Sequence, residues 1–368
     1  MTLRSMPKLS FLDALRAGLA LWVFWGHLAV MCAFDVPVLS APGAAVDGFM
    51  IISGFLMVYT TQRTLGQSIT VSAVRDFYLT RLFRIAPLYY VMLLLCGLCV
   101  AQWTAMRDAW WSASHGAAAA PLEAMIGLAT LEGIVAHATF VFGLFPSWVM
   151  SVPLPDWSLS LEMQFYVLYP LLCAMGYWLR WRMVWLVVVT TLCALVLPLY
   201  LGYFVTPGLW MHYVQPSLLV LKLNVFLSGM LLAHWYLQHA GKGIQDKFSL
   251  GMAVLCLASV KPIVWVFFLL FWYLLSRPYG RLSSMLSIPL FSRLGDWSYG
   301  IYLIHTFLMV PVLWGMDQVW HISQWSPLMR YVVSVGVCSA TVLIMAALFH
   351  RLIEKPGIQL GRHLLAKD

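Results

Sequence analysis

Charge is what this sequence has least of. Only 10% of its 368 residues are Asp, Glu, Lys or Arg, against about a quarter in an ordinary soluble domain. So few charges cannot cover the surface of a soluble globular enzyme. They also exclude a disordered chain, a coiled coil and the usual charged kind of nucleic-acid-binding domain. Cysteine is scarce as well, at seven residues. Cys96 and Cys99 form a CxxC inside LLLCGLCV, with no second ligand pair, and read as small residues of a membrane helix. Low-complexity tracts, internal repeats and a polar domain at either end are all lacking. What is present is hydrophobicity, at 62% of residues with a mean hydropathy of +0.84. The class that remains is a polytopic membrane protein.

A helix needs about 20 mostly apolar residues to cross a bilayer. The pattern predicts an all-α, polytopic helical membrane protein with about ten transmembrane helices. They cover 9–31, 47–61, 86–105, 157–177, 183–204, 216–237, 249–260, 263–276, 297–315 and 328–349. The pair around Lys261-Pro262 is short and must tilt or sit in a thinned region. The first span is not expected to be a cleaved signal, because it carries Asp13 and Arg16 and is long for one. Segment 116–146 is apolar, but Glu123, Glu132 and His137 interrupt it. Charge parity decides its reading. With ten spans and both termini cytoplasmic, most of the 22 Lys and Arg fall on one side. The other side keeps Arg107, Lys261 and Arg330, while Arg16 and Lys222 lie within spans. A crossing at 116–146 would reverse every later basic loop. It is therefore expected to be an outer-face amphipathic or re-entrant segment of a single membrane domain, 1–368. The net charge of +8 is then topological and needs no nucleic acid.

Ionisable groups inside spans cost about 2.5–3.5 kcal/mol each on insertion scales, so they mark candidate sites. In the first helix, Arg16 and His27 come within about 20° of sharing a face, roughly 16 Å apart along the axis. Asp47, opening the second helix, is predicted at the depth of His27. A carboxylate there would fix an imidazole tautomer for general-base work. Ser53 lies deeper, and its hydroxyl could equally bond back to the i−4 carbonyl, with Gly54 serving close packing. Arg81 and Arg84 share a face at the inner mouth of the third helix, with Pro87 in its first turn. Their paired guanidiniums suit phosphate, although positive-inside anchoring would explain either one alone. Ser158, Glu162 and Tyr166 fall on one face of the fourth helix, as a site or as a hydrogen-bonded clamp. His305, near the midplane of the ninth helix, reads as a relay, a substrate ligand or a packed polar bridge. Glu354-Lys355-Pro356 reads as a helix stop. Trp110, Trp111, Trp148, Trp210, Trp320 and Trp325 fit an interfacial belt or a sugar-stacking surface. By depth, basic groups gather inside and acid/base groups outside. That arrangement fits an enzyme moving a group across the membrane, or equally a proton-coupled transporter.

The motifs FLDALRAGLALWVFWGH, VDGFMIISGFLM, RLFRIAPLYY, DWSLSLEMQFYVLYPLL, LGDWSYGIYLIH and IEKP, in this order, resemble the acyltransferase-3 family of integral-membrane acyltransferases over residues 8–356. The resemblance implies a ten-helix core in a bacterial cytoplasmic (inner) membrane. It implies transfer of an acyl group, commonly acetyl, from cytoplasmic acyl-CoA to a hydroxyl of an outer-side glycan, such as an exopolysaccharide or lipopolysaccharide. Acetyl-CoA or another acyl-CoA is the implied donor, with no metal. The implied partners are the glycan, the bilayer and polysaccharide-synthesis machinery. His27 matches the family's proposed catalytic histidine, with Asp47 or Glu162 expected to orient it. Arg16 matches the motif arginine and Arg81 and Arg84 the proposed CoA-side arginines, with all three expected to hold the CoA phosphates. Ser53 matches the SGF serine and Glu162 the WSLSxE glutamate, while Ser53, Tyr166 or a backbone N–H is expected to hold an oxyanion. The rival readings are a proton-coupled transporter or flippase without covalent chemistry, using His305, Glu162 and Asp47, and a structural subunit of a polysaccharide synthase.

Overall fold

The computed structural model describes residues 9–62, 64–65, 69–118, 128–203, 215–242 and 247–366. Glu123 and Trp210, named above, lie outside them. Helices α1 (Phe11–Met31), α2 (Pro42–Thr61) and α3 (Val71–His115) come first. Short α4 (Leu131–Ala138) precedes α5 (Trp157–Ala174), α6 (Arg180–Tyr203), α7 (Leu223–Lys242) and α8 (Lys247–Leu255). Then follow α9 (Pro262–Ser276), α10 (Arg281–Met285), α11 (Pro289–Trp320), α12 (Pro327–Phe349) and α13 (Lys355–Leu365). No strand occurs among the described residues. An apolar solvent leaves the backbone no partner but itself, so helices are the expected solution.

Among the described residues, six helical stretches are long and apolar enough to cross a membrane: α1, α2, α3, residues 180–198, α11 and residues 327–365. Helices α5, α7 and the pair 247–259 and 262–276 complete the expected set, but they are not among those six. The pair is short, as the sequence indicates. Helix α5 gives one face to Ser, Glu and Tyr side chains, which lowers its hydropathy. In segment 116–146 the described helix, α4, has 8 residues and is too short to cross.

Two expected boundaries move. The third helix does not begin near Pro87. Thr70 caps it by accepting the Ala73 N–H at 3.2 Å, and it runs unbroken for 45 residues to Gly116 at φ 66°. Pro87 is therefore inside a helix. Likewise, Glu354-Lys355-Pro356 does not stop the last helix. Residues 350–354 form a π-turn, and α13 continues beyond it. The wider turn loosens the backbone where Pro356 brings no N–H.

The bundle core is built by close backbone approach. A Cβ on Gly54 of α2 would strike the Phe226 carbonyl of α7, and one on Gly229 of α7 would strike the Ile51 carbonyl of α2. Gly295 of α11 lies equally tight against Asp13 of α1. Small residues let helices approach where lipid offers no hydrophobic drive. Helix α13 lies along α3, with Gly357 and Gly361 on Pro87 and Phe83.

Candidate active site

Helices α1, α2, α3, α5 and α11 enclose a cavity of ≈ 790 Å³, counting its open mouth. Its charged lining residues are Arg16 from α1, Arg81 and Arg84 from α3, and Glu162 from α5. The sequence placed these on three separate helices, and the fold brings them together. Three guanidiniums face one carboxylate, an imbalance that favours an anionic guest. Arg81 donates from Nη2 to Thr60 Oγ1 at 3.1 Å and lies over the Tyr166 ring, 5.7 Å from its centre. Its Nε is buried with no acceptor among the described residues.

Glu162 is the hub of the cavity's other wall. Ser53 donates to its Oε1 at 2.8 Å, and Tyr166, one turn along α5, donates to the same oxygen. Ser53 thus does not bond back to its own helix. Both hydroxyl hydrogens are committed to Glu162. The expectation that Ser53 or Tyr166 holds an oxyanion therefore does not match this arrangement. Ser158 completes the predicted face but bonds elsewhere, 2.6 Å from Tyr302 Oη. Tyr302 donates its hydrogen to the Pro155 carbonyl at 2.7 Å, so Ser158 is the donor in the first contact.

His27 does not line this cavity. Its Nδ1 lies 2.8 Å from Nε2 of His305, which is fully buried. Tyr302 connects the two regions, because it lines the cavity and its ring lies 6.1 Å from that of His305. Asp47 and Glu162 do not orient His27. Asp47 binds Lys222 Nζ at 2.6 Å, and Glu162 binds Ser53 and Tyr166. A carboxylate only 4% exposed requires a cation. Lys222, at the turn before α7, supplies it because α2 and α7 pack backbone to backbone.

Sequence reasoning missed Tyr302, Tyr299, Ser298 and Phe49, which line the cavity. One signal was available for Tyr302, since it precedes His305 by three residues and so shares its face. The tryptophans do not behave alike either. Trp110 is neither a belt residue nor a stacking platform. It is 1% exposed, its Nε1 donates to the Met31 carbonyl at 2.9 Å, and Arg330 lies over its ring. Trp320 is exposed.

Comparison with known proteins agrees with this organisation. Residues 9–350 match the model of a family described as an acyltransferase domain, Acyl_transf_3. The acyltransferase MdmB of Streptomyces mycarofaciens is 23% identical over 389 residues, covering 96% of this chain and 92% of that protein. No solved structure matches.

Proposed function

The chain belongs to the acyltransferase-3 family, and from that membership and the cavity we propose an acyl-CoA-dependent O-acyltransferase. It passes an acyl group, acetyl in the first instance, to a hydroxyl of a glycan on the outer side of a bacterial cytoplasmic membrane. The observation that carries this reading is the cavity's charge: Arg16, Arg81 and Arg84 against the single carboxylate of Glu162. A coenzyme A donor is a polyanion with a long neutral arm. Its phosphates suit guanidinium forks at one end, and its arm suits the apolar lining of Phe49, Ile52, Leu56 and Met57. A proton-coupled transporter gives no reason for three guanidiniums at one mouth.

In the proposed reaction, the donor's phosphates dock on Arg81 and Arg84, with Arg16 beside them. The arm runs along the cavity towards Tyr302 and Phe49, whose rings meet edge to face at 5.9 Å. Tyr302, which also packs against His305, turns aside as the thioester passes towards His27. His27 takes the proton of the acceptor hydroxyl. The oxygen attacks the thioester carbonyl, the C–S bond breaks, and the departing thiolate takes the proton back from His27. Glu162, held by two hydroxyls, keeps one wall of the arm's path rigid.

The test uses purified protein in proteoliposomes, with labelled acetyl-CoA on one side and a glycan acceptor on the other. Wild type transfers label to glycan hydroxyls. His27→Ala, at equal membrane abundance, transfers none. Acceptor movement without acyl-CoA would favour the transporter instead.

A further inference from the structure

Each histidine ring has one donor and one acceptor nitrogen when neutral, and the partners of one ring dictate the roles of the next. His305 Nδ1 lies 2.7 Å from the Tyr302 carbonyl and 3.2 Å from that of Ile301. Carbonyl oxygens only accept, so Nδ1 of His305 carries hydrogen. His305 is fully buried. Among the described residues no carboxylate bonds to His305, whose Nε2 meets His27 and whose Nδ1 meets backbone carbonyls. A buried imidazolium without a counter-charge is costly, so His305 is neutral and its Nε2 is bare. The hydrogen in the 2.8 Å His27–His305 contact then belongs to His27 Nδ1. Two ring facts support a true bond. The planes differ by 13°, and the centroids are 5.1 Å apart. That separation is nearly the N···N distance plus the two ring radii. The bond therefore runs along the line of centres, where the in-plane lone pair points.

We propose that His305 is a positioning residue that fixes His27 as its Nδ1–H tautomer and leaves His27 Nε2 as the bare nitrogen that accepts a proton. The proposal rests on the reading of His27 as the general base. It assigns the orienting role, usually filled by a carboxylate, to a second neutral histidine. It also excludes His305 as a through-relay. A proton arriving at His305 Nε2 would have to leave from Nδ1, and both Nδ1 partners are backbone carbonyls, which take no proton onward. In the transfer step, the acceptor O–H bond breaks and its proton goes to His27 Nε2. The His27 Nδ1–H bond to His305 persists and strengthens as the imidazolium forms. The proton then returns from Nε2 to the coenzyme thiolate, and both rings end as they began.

The experiment pairs spectroscopy with kinetics. In ¹⁵N-histidine-labelled protein in detergent, the His27 signals, identified by their loss in His27→Gln, show protonated Nδ1 and bare Nε2. In His305→Leu, which offers no acceptor, that pattern is lost. The same variant lowers kcat about a hundredfold or more, with KM for acetyl-CoA within about twofold. His305→Gln, whose amide oxygen can accept the Nδ1–H, recovers at least about tenfold of that loss. A protonated Nε2 on wild-type His27 overturns the proposal. So does wild-type kcat in His305→Leu when His27→Ala is inactive. Full activity in His27→Ala would instead remove the general-base reading, while the nitrogen signals still report the bond.

Discussion

Arg84 and Glu162 show how single residues divide the labour of the cavity. Arg84 offers a fork of donors where an anion would sit. Arg84→Ala is expected to raise KM for acyl-CoA about tenfold to a hundredfold with kcat little changed, the worth of one or two charge-assisted hydrogen bonds. Steady-state kinetics in proteoliposomes checks this, and an unchanged KM would detach Arg84 from the donor. The polar residues themselves were legible in the sequence, because an ionisable group in so apolar a chain stands out. Their partners were not. The Ser53–Glu162, Asp47–Lys222 and His27–His305 contacts join residues more than a hundred positions apart. Helical periodicity reports which face a residue occupies but not which helix that face meets. The carboxylate expected beside His27 was a sound inference from depth alone. It failed because half-buried Lys222 claims Asp47 first.

At the scale of elements, contacts between backbones set the site. Gly54 of α2 and Gly229 of α7 each leave room for the other helix's carbonyl. That contact holds Ser53 towards Glu162 and brings Lys222 to Asp47. Gly54→Leu is expected to cost at least about 1–3 kcal/mol by overpacking, read as a lower Tm in detergent and a reduced folded yield. An unaltered Tm would mean that the two helices do not meet there. The helix boundaries show the limit of sequence rules. Proline at 87 and at 356 reads as a start and a stop, yet both lie within long helical runs, because neighbouring helices and a π-turn accommodate them.

The segment around α4 has its own fastening. His137 of α4 is fully buried, stacked on Phe142 at 4.5 Å, with Nδ1 donating to the Gly133 carbonyl. Ser151 Oγ lies 3.3 Å from its Nε2, and Asp156 Oδ2 lies 3.9 Å away. Burial pushes this imidazole below the ordinary histidine range, with the Gly133 bond opposing. Its folded value is thus below the unfolded one, about 6.5. The stability it lends is complete above that pH and fades as pH falls from there through the lower folded value. A Tm measured from neutral to acidic pH should fall, and His137→Gln should flatten the fall. Equal slopes in both proteins would remove His137 as the cause.

Taken whole, the molecule is a helical bundle whose few charges do two different jobs. Arg330 illustrates the structural one. Its guanidinium donates to the carbonyls of Cys32, Ser114, Ile322, Ser323 and Trp325, tying the ends of α1 and α3 to the α11–α12 connection. From the sequence Arg330 was legible only as an outer-side charge, because carbonyl acceptors leave no trace in a sequence. The chemical job is the one proposed for Arg16, Arg81, Arg84 and Glu162 around the cavity, and for His27 with His305 beyond Tyr302. The all-helical class was legible from composition, and the family from six ordered motifs. The place of Tyr302 between the cavity and His305 emerged only from packing.

The most direct measurement of the central claim is label transfer from acetyl-CoA to a glycan hydroxyl by purified protein in proteoliposomes, wild type beside His27→Ala. The account predicts covalently labelled glycan with wild type and none with the variant. Equal labelling by both, or glycan crossing the membrane unlabelled and without acyl-CoA, would contradict it.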